Sequence, residues 1–162
     1  VEAVEFSGTT SSDVTSNIEY LAQLVQYARA PIEDDAPNRE AGNRIVTLLF
    51  SIAKGRALLH GRRHVTMADM SVCGRIALST IPNKRRKVVQ MLLNPENKGF
   101  LTASDVEAVT GTSRPTAHRR MELLDTLGLA SLTESKEDDR RSKLIEIVDL
   151  FSWPTGLEFP DF

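Results

Sequence analysis

The sequence holds a single cysteine, Cys73, in 162 residues. No intrachain disulfide is possible, and neither a thiolate zinc site nor an iron–sulfur cluster can be assembled. The only histidines are His60, His64 and His118. His60 and His64 are four apart but straddle Gly61, which interrupts the helix that a paired ligand site would need, so both are expected in exposed loop positions and no metal is expected. No apolar run reaches membrane-spanning length and no signal segment is present, so a reducing, cytoplasmic setting without membrane partners is expected. The chain also lacks the phosphate loop G-x-x-x-x-G-K-[ST], a strand ending in paired acids for magnesium, and a nucleophile elbow around any serine. By itself it is expected neither to hold ATP nor to catalyse a reaction. There is no excess of positive charge either: the formal net charge is −2, so contact with nucleic acid requires a local basic patch.

What is present is enough apolar material, 41%, for a real core, and a charge distribution that is strongly segregated. Between Lys84 and Arg120 eight basic residues stand against three acidic ones, whereas from Met121 to the end four basic residues stand against ten acidic ones. The basic stretch coincides with the most legible pattern in the chain. Thr102 followed by Asp105 has the spacing of a capping box and predicts a helix from about Ala103, with Val106, Val109 and small Ala108 on one face. Gly111 supplies the positive φ that ends it. Ser113 then caps a second helix with Pro115 in its first turn, and Ala117, Met121, Leu124 and Leu127 recur at helical spacing. Arg114, Thr116, His118, Arg119 and Arg120 fall largely off that stripe. This is a helix-turn-helix pattern, in which the start of the second helix reaches base edges.

Upstream, Asp13 to Ala30 reads as an amphipathic helix, and Pro31 to Pro37, with Glu33, Asp34 and Asp35, as a solvated linker. Arg39 to Gly61 reads as a long helix apolar enough to be buried on more than one side. Thr66 and Asp69 repeat the capping-box spacing ahead of a helix that holds Cys73 among apolar residues and stops at Ile81-Pro82. The next helix begins near Asn83 and runs to Asn94-Pro95. Phe100-Leu101 is predicted as a short strand, and Leu129 to Thr133 and Leu144 to Val148 as two more, with the polar Glu134 to Ser142 between them. The expected fold is mainly α: a helical bundle over 1–82, then a winged helix with a small β-hairpin over 83–162. The tail aromatics Phe151, Trp153, Phe159 and Phe162 are expected to pack back on the domain or on a partner.

From Asn83 to about Trp153 the chain resembles winged-helix regulator domains of the MarR and GntR kind, on Leu101-Thr102, Val106-Glu107-Ala108, Gly111-Thr112-Ser113, Pro115-Thr116-Ala117 and Leu124 through Leu127-Gly128-Leu129. The resemblance implies a recognition helix over about 113–127 and a wing in which Lys136, Arg140 and Arg141 approach phosphates or a minor groove. Glu137, Asp138 and Asp139 in the same wing lower its attraction for phosphate. Arg44 to Asp69 resembles the helical lid of AAA+ ATPases related to the minichromosome maintenance helicases, on Arg44, Gly55, Ala57, Val65, Thr66 and Asp69. That resemblance implies that Arg44, with Arg39 as second choice, is a sensor arginine for the γ-phosphate of ATP, and that an N-terminal ATPase domain precedes this chain in a longer parent. The chain opening on Val1 rather than Met is read in the same sense, and ATP with magnesium would belong to that parent.

The leading expectation is a module that binds double-stranded DNA. Lys84, Arg85 and Lys87 would take phosphates, and Thr102, Ser113, Arg114, Thr116, His118, Arg119 and Arg120 would surround the reading helix. The alternative is a protein-interaction or regulatory lid module without direct DNA contact, docking through the acidic wing and the aromatic tail from Trp153 to Phe162. A homo-oligomer is compatible with either.

Overall fold

Capping boxes mark the starts of two of the helices, and the chain is mainly helical with a small antiparallel sheet. The structure, a computed structural model, describes residues 11–137, 140–154, 156, 157, 159 and 160, with 135–137 and 140–142 described by their backbone alone. Phe162, Asp138 and Asp139 lie outside the described residues. The described residues fall into two compact units: one draws on 11–26, 41–80 and the described part of 154–160, the other on Tyr27–Glu40 and the described part of 81–153.

The first unit contains most of helix α1 (Ser12–Arg29), α2 (Gly42–Leu59) and α3 (Met67–Ser79). Val14, Ile18 and Leu21 of α1 are buried, as are Met70, Cys73 and Leu78 of α3. Helix α2 begins at Gly42, not Arg39, because Ala41 is extended, and it ends at Leu59. It buries a single stripe, Ile45, Leu49, Ala53 and Ala57, spaced four apart. The expectation of burial on several sides is overturned: Leu48 is 53% exposed and Leu59 89%. A run of apolar residues in a helix can supply two faces, and only one is used here.

Helix α3 starts as expected. The Thr66 amide donates to Asp69 Oδ2 at 2.9 Å, which completes the reciprocal cap. Unforeseen from the sequence is that Asp69 is also fully buried and clasped by Arg62 at 2.7 Å.

In the second unit the acidic linker is a tight hairpin of β1 (Ile32–Glu33) and β2 (Ala36–Pro37). Asp34 and Asp35, at φ 50° and 62°, take the two left-handed positions that such a turn demands and that Asp tolerates better than most residues. Helix α4 (Asn83–Leu93) buries Val88, Val89, Leu92 and Leu93. Strand β3 (Phe100–Thr102) follows, then α5 (Ala103–Thr110) and α6 (Arg114–Thr126). Ala103 and Val106 form the buried face of α5, while Ala108 is exposed and Val109 half-buried.

Strands β4 (Ala130–Glu137) and β5 (Arg140–Ile147) pair antiparallel, with β5 central in the order β3-β5-β4. Residues 134–142, expected as a polar loop between shorter strands, mostly continue the ladder, which runs on to Glu137 opposite Arg140. Polarity marks a ribbon solvated on its faces as readily as it marks a loop, since the backbone supplies the pairing. Phe151 is buried, its ring tilted against Tyr27 with centroids 4.9 Å apart, while Trp153 and Phe159 are half-buried.

Candidate nucleic-acid interface

The α5–α6 pair is fixed by local chemistry before any packing is considered. The Thr102 amide and hydroxyl both donate to Asp105 Oδ2, at 2.8 and 2.7 Å, so Thr102 is occupied in capping α5. Gly111 closes α5 at φ 62°, the left-handed conformation that a glycine adopts at little cost. Ser113 occupies the N-cap position of α6 but, against expectation, its side chain caps no backbone amide; its hydroxyl lies 3.2 Å from that of Thr116 instead. Pro115 sits at the start of the helix, where its missing amide costs no intrahelical bond.

Ala117, Met121 and Leu124 are fully buried, and Leu127 joins them just past the helix end. At about 100° per residue, Arg119 stands on the side opposite that stripe, and it is exposed. Arg114 is exposed at the first turn, its guanidinium 3.6 Å from Glu107 and 3.5 Å from Ser104 Oγ. Thr116, His118 and Arg120 are half-buried on the flanks of the helix. His118 Nε2 is buried without a hydrogen-bond partner among the described residues. The basic and hydroxyl side chains singled out on α6 thus line its outer side and flanks.

Two contacts invisible to helical spacing join this helix to the hairpin. Lys143 Nζ of β5 donates to Glu122 Oε1 at 2.7 Å, and the Leu132 amide of β4 donates to Asp125 Oδ1 at 3.1 Å. The Lys143 ammonium holds the Glu122 carboxyl below the usual carboxylate range. The Glu122–Lys143 pair is twenty-one residues apart, so its only available signal would have been an acidic residue on the exposed side of α6 matched by a lysine in the second strand after it. Lys136 stands opposite Arg141, and Glu137 opposite Arg140, in the β4–β5 register; their side chains lie outside the described residues.

The basic cluster at the start of α4 divides. Lys84 and Lys87 are exposed. Arg85 donates to the carbonyls of Ala28 and Ala30, at 2.9 and 3.0 Å, where the end of α1 leaves acceptors unsatisfied, and its burial lowers its pKa. Arg86 donates to the Ile81 carbonyl at 2.9 Å.

Of the two arginines considered for nucleotide sensing, Arg44 is exposed in the first turn of α2. Arg39 places its guanidinium 3.9 Å from the Tyr27 ring centroid and donates to the Leu127 carbonyl at 3.2 Å. Among the described residues no helix is long and apolar enough to cross a membrane, and no group of three or more His, Cys, Asp or Glu is placed to hold a metal ion. His60 and His64 are exposed, and Cys73 is buried. Comparison with protein-family models, with curated proteins and with solved structures yields no significant match to this chain.

Proposed function

We propose that Asn83 to Trp153 is a winged helix that binds double-stranded DNA, with α6 as the recognition helix and the β4–β5 hairpin as the wing. The observation that carries the reading is the outer side of α6: Arg119 opposite a fully buried stripe, with Arg114 and Thr116 at the helix start. Arginine and threonine are suited to base edges and phosphates. The element order α4-β3-α5-α6-β4-β5 and the sheet order β3-β5-β4 support a winged arrangement. Lys84 and Lys87, exposed on α4, are the phosphate contacts in this reading; Arg85 serves the end of α1 instead.

Titration of a labelled mixed-sequence duplex at several salt concentrations tests the proposal. Neutralising Z phosphates gives a log–log slope of about −0.9Z, so four or five contacts make the affinity fall steeply. Absence of salt-dependent binding at low ionic strength refutes it.

The same reading takes Arg44 to Asp69 as the lid of a longer ATPase. The exposure of Arg44 at the start of α2 and the reciprocal cap of Thr66 and Asp69 support this. Arg39 is the second sensor candidate; its guanidinium lies over the Tyr27 ring and donates to the Leu127 carbonyl. Joining an N-terminal phosphate-loop domain should give ATP turnover that Arg44→Ala removes; turnover indifferent to that substitution refutes the sensor role.

A further inference from the structure

Helix α1 turns a polar face to a cleft that the core does not fill. Asp13, Ser16, Asn17 and Tyr20 line it from α1, Met67 from the start of α3 and Pro154 from the tail, all within the first unit. Its volume is about 540 Å³, within the range of small-molecule sites. At about 100° per residue the four α1 positions fall within an arc of about 100°, and Asn17 stands at the edge nearest Val14, Ile18 and Leu21. Those three are buried, and Asn17 beside them is only 7% exposed, while Asp13 and Ser16 are exposed.

Asn17 uses one end of its amide and not the other. Its Nδ2 donates to the Asp13 carbonyl at 2.8 Å and to Met67 Sδ at 3.7 Å, and the carbonyl fixes which end is nitrogen. Its Oδ1 is buried and accepts no hydrogen bond from the described residues. A buried acceptor of this kind calls for a donor. Among the described lining residues Asp13 alone is charged, and burial pushes the Tyr20 phenol up, so that it stays neutral. The cleft therefore repels anions and attracts cations. A metal ion needs more than one carboxylate, and no group of three or more His, Cys, Asp or Glu is placed to hold one among the described residues. A purely apolar ligand would leave Asn17 Oδ1 unpaired.

We infer that this cleft takes an alkylguanidinium, either a free small molecule or the side chain of an arginine in a peptide. A guanidinium is planar, weakly hydrated and carries donors on both sides. One side answers the Asp13 carboxylate, and the other donates to Asn17, four residues on along the same helix face. The alkyl stem lies on Met67 and Pro154, and the plane rests against Tyr20. A primary ammonium is a more strongly hydrated point charge without the fork, and suits the cleft less well. The site belongs to the first unit and is independent of the DNA-binding proposal.

The test is calorimetric titration of the whole chain with acetyl-arginine amide and with agmatine, using acetyl-citrulline amide as the uncharged control of the same shape. Saturable binding of the arginine amide is expected, about tenfold or more weaker for the citrulline amide. Asp13→Asn, which removes the charge, and Asn17→Leu, which removes the acceptor, should each weaken it by about tenfold. Ser16→Trp, at an exposed lining position, should fill the cleft and abolish binding. Far-ultraviolet dichroism verifies that each variant stays folded; should Asn17→Leu not fold, Asp13→Asn and Ser16→Trp, both at exposed positions, still decide. Agmatine bound as tightly as the arginine amide assigns the site to a free guanidine, and a preference of about tenfold for the amide assigns it to arginine in a peptide. Equal binding of the citrulline amide, indifference to Ser16→Trp, or no saturable heat from either guanidine at about 10 mM overturns the proposal. So does n-butylammonium bound as tightly as agmatine, which would reduce the site to a general cation cleft.

Discussion

Arg62 holds the fully buried Asp69 through two hydrogen bonds of 2.7 Å, Nη1 to Oδ2 and Nη2 to Oδ1. Thr66 adds its amide to Oδ2 at 2.9 Å, and Arg56 Nε stands 3.5 Å from Oδ1. One carboxylate therefore caps α3 and neutralises an arginine of the preceding loop. A buried charge survives only when it is paired and hydrogen-bonded in this way.

That pairing makes stability depend on acid. The Arg62 hydrogen bonds, and after them the Thr66 amide, outweigh the effect of burial and hold the Asp69 carboxyl down to about 2 from its ordinary 3.8. The folded value lies below the unfolded one, so the stabilisation is complete above about pH 4 and is lost as the pH falls toward 2. A shift of nearly two units corresponds to about 2.5 kcal/mol, and partial solvent access to Arg62 screens the pair, so about 1–2 kcal/mol is expected. Urea denaturation of Asp69→Asn and of the natural chain should differ by that amount at neutral pH and converge as the pH approaches about 2. A difference that stays constant with pH contradicts the assignment.

Cys73 lies in the same helix and reports on the same unit. Burial, and then the negative charge of Asp69, push its thiol up to about 11, while Arg56 pulls the other way. The reactive thiolate is correspondingly scarce, and the sulfur is inaccessible. Labelling with an aromatic disulfide at about pH 8 is expected to be slow in native buffer and to rise with urea in step with the loss of helical dichroism, since exposure requires opening. Rapid stoichiometric labelling of the native chain would show that the core around Cys73 is open.

These relationships differ in how far the sequence could announce them. The capping boxes at Thr102 and Asp105 and at Thr66 and Asp69 are local patterns, and both helices start where the patterns place them. The stripe Ala117, Met121, Leu124 and Leu127 was equally legible, because helical spacing needs no knowledge of the partner surface. Arg62 on Asp69 and Lys143 on Glu122 were not legible: their partners are seven and twenty-one residues apart and meet only once loops and strands are folded. The same limit applies to the cluster at Lys84 to Lys87. Four adjacent cations look alike in a sequence, yet the start of a helix turns Arg85 and Arg86 toward backbone carbonyls and leaves Lys84 and Lys87 in solvent. For α2 the composition was read correctly and the burial was not, since hydrophobicity alone does not say which faces find a partner.

The divided cluster separates stability from affinity. Lys87→Ala is expected to weaken all duplexes about alike and to lower the salt slope by about one, whereas Arg119→Ala should chiefly relax sequence preference. Arg85→Ala should do neither. It removes two charge-assisted bonds to the end of α1, at 2.9 and 3.0 Å, and should cost about 1–3 kcal/mol of folding stability. Paired chemical denaturation and duplex titration of the three variants give the comparison. An Arg85→Ala chain of normal stability with a reduced salt slope would return Arg85 to the DNA surface.

Gly99 and Ile147 set the approach of the chain to β3. Gly99 has φ 78°, its carbonyl accepts from the Ile147 amide at 2.7 Å, and a Cβ added to it would stand 2.6 Å from Ile147 Cγ2. Gly99→Ala therefore meets two penalties: about 1–2 kcal/mol for a side chain in the left-handed region and about 1–3 kcal/mol for overpacking. The second can be relieved alone. Ile147→Ala deletes the clashing methyl at the cost of a half-buried side chain, about 1–2 kcal/mol. In the double variant the clash is gone and only the backbone penalty of Gly99→Ala remains, so its loss of stability should be smaller than the sum of the two single losses by about 1–3 kcal/mol. Additive losses in urea denaturation would mean that β3 moves away from Ile147 without cost, and that the close approach of Gly99 is not what seats the strand.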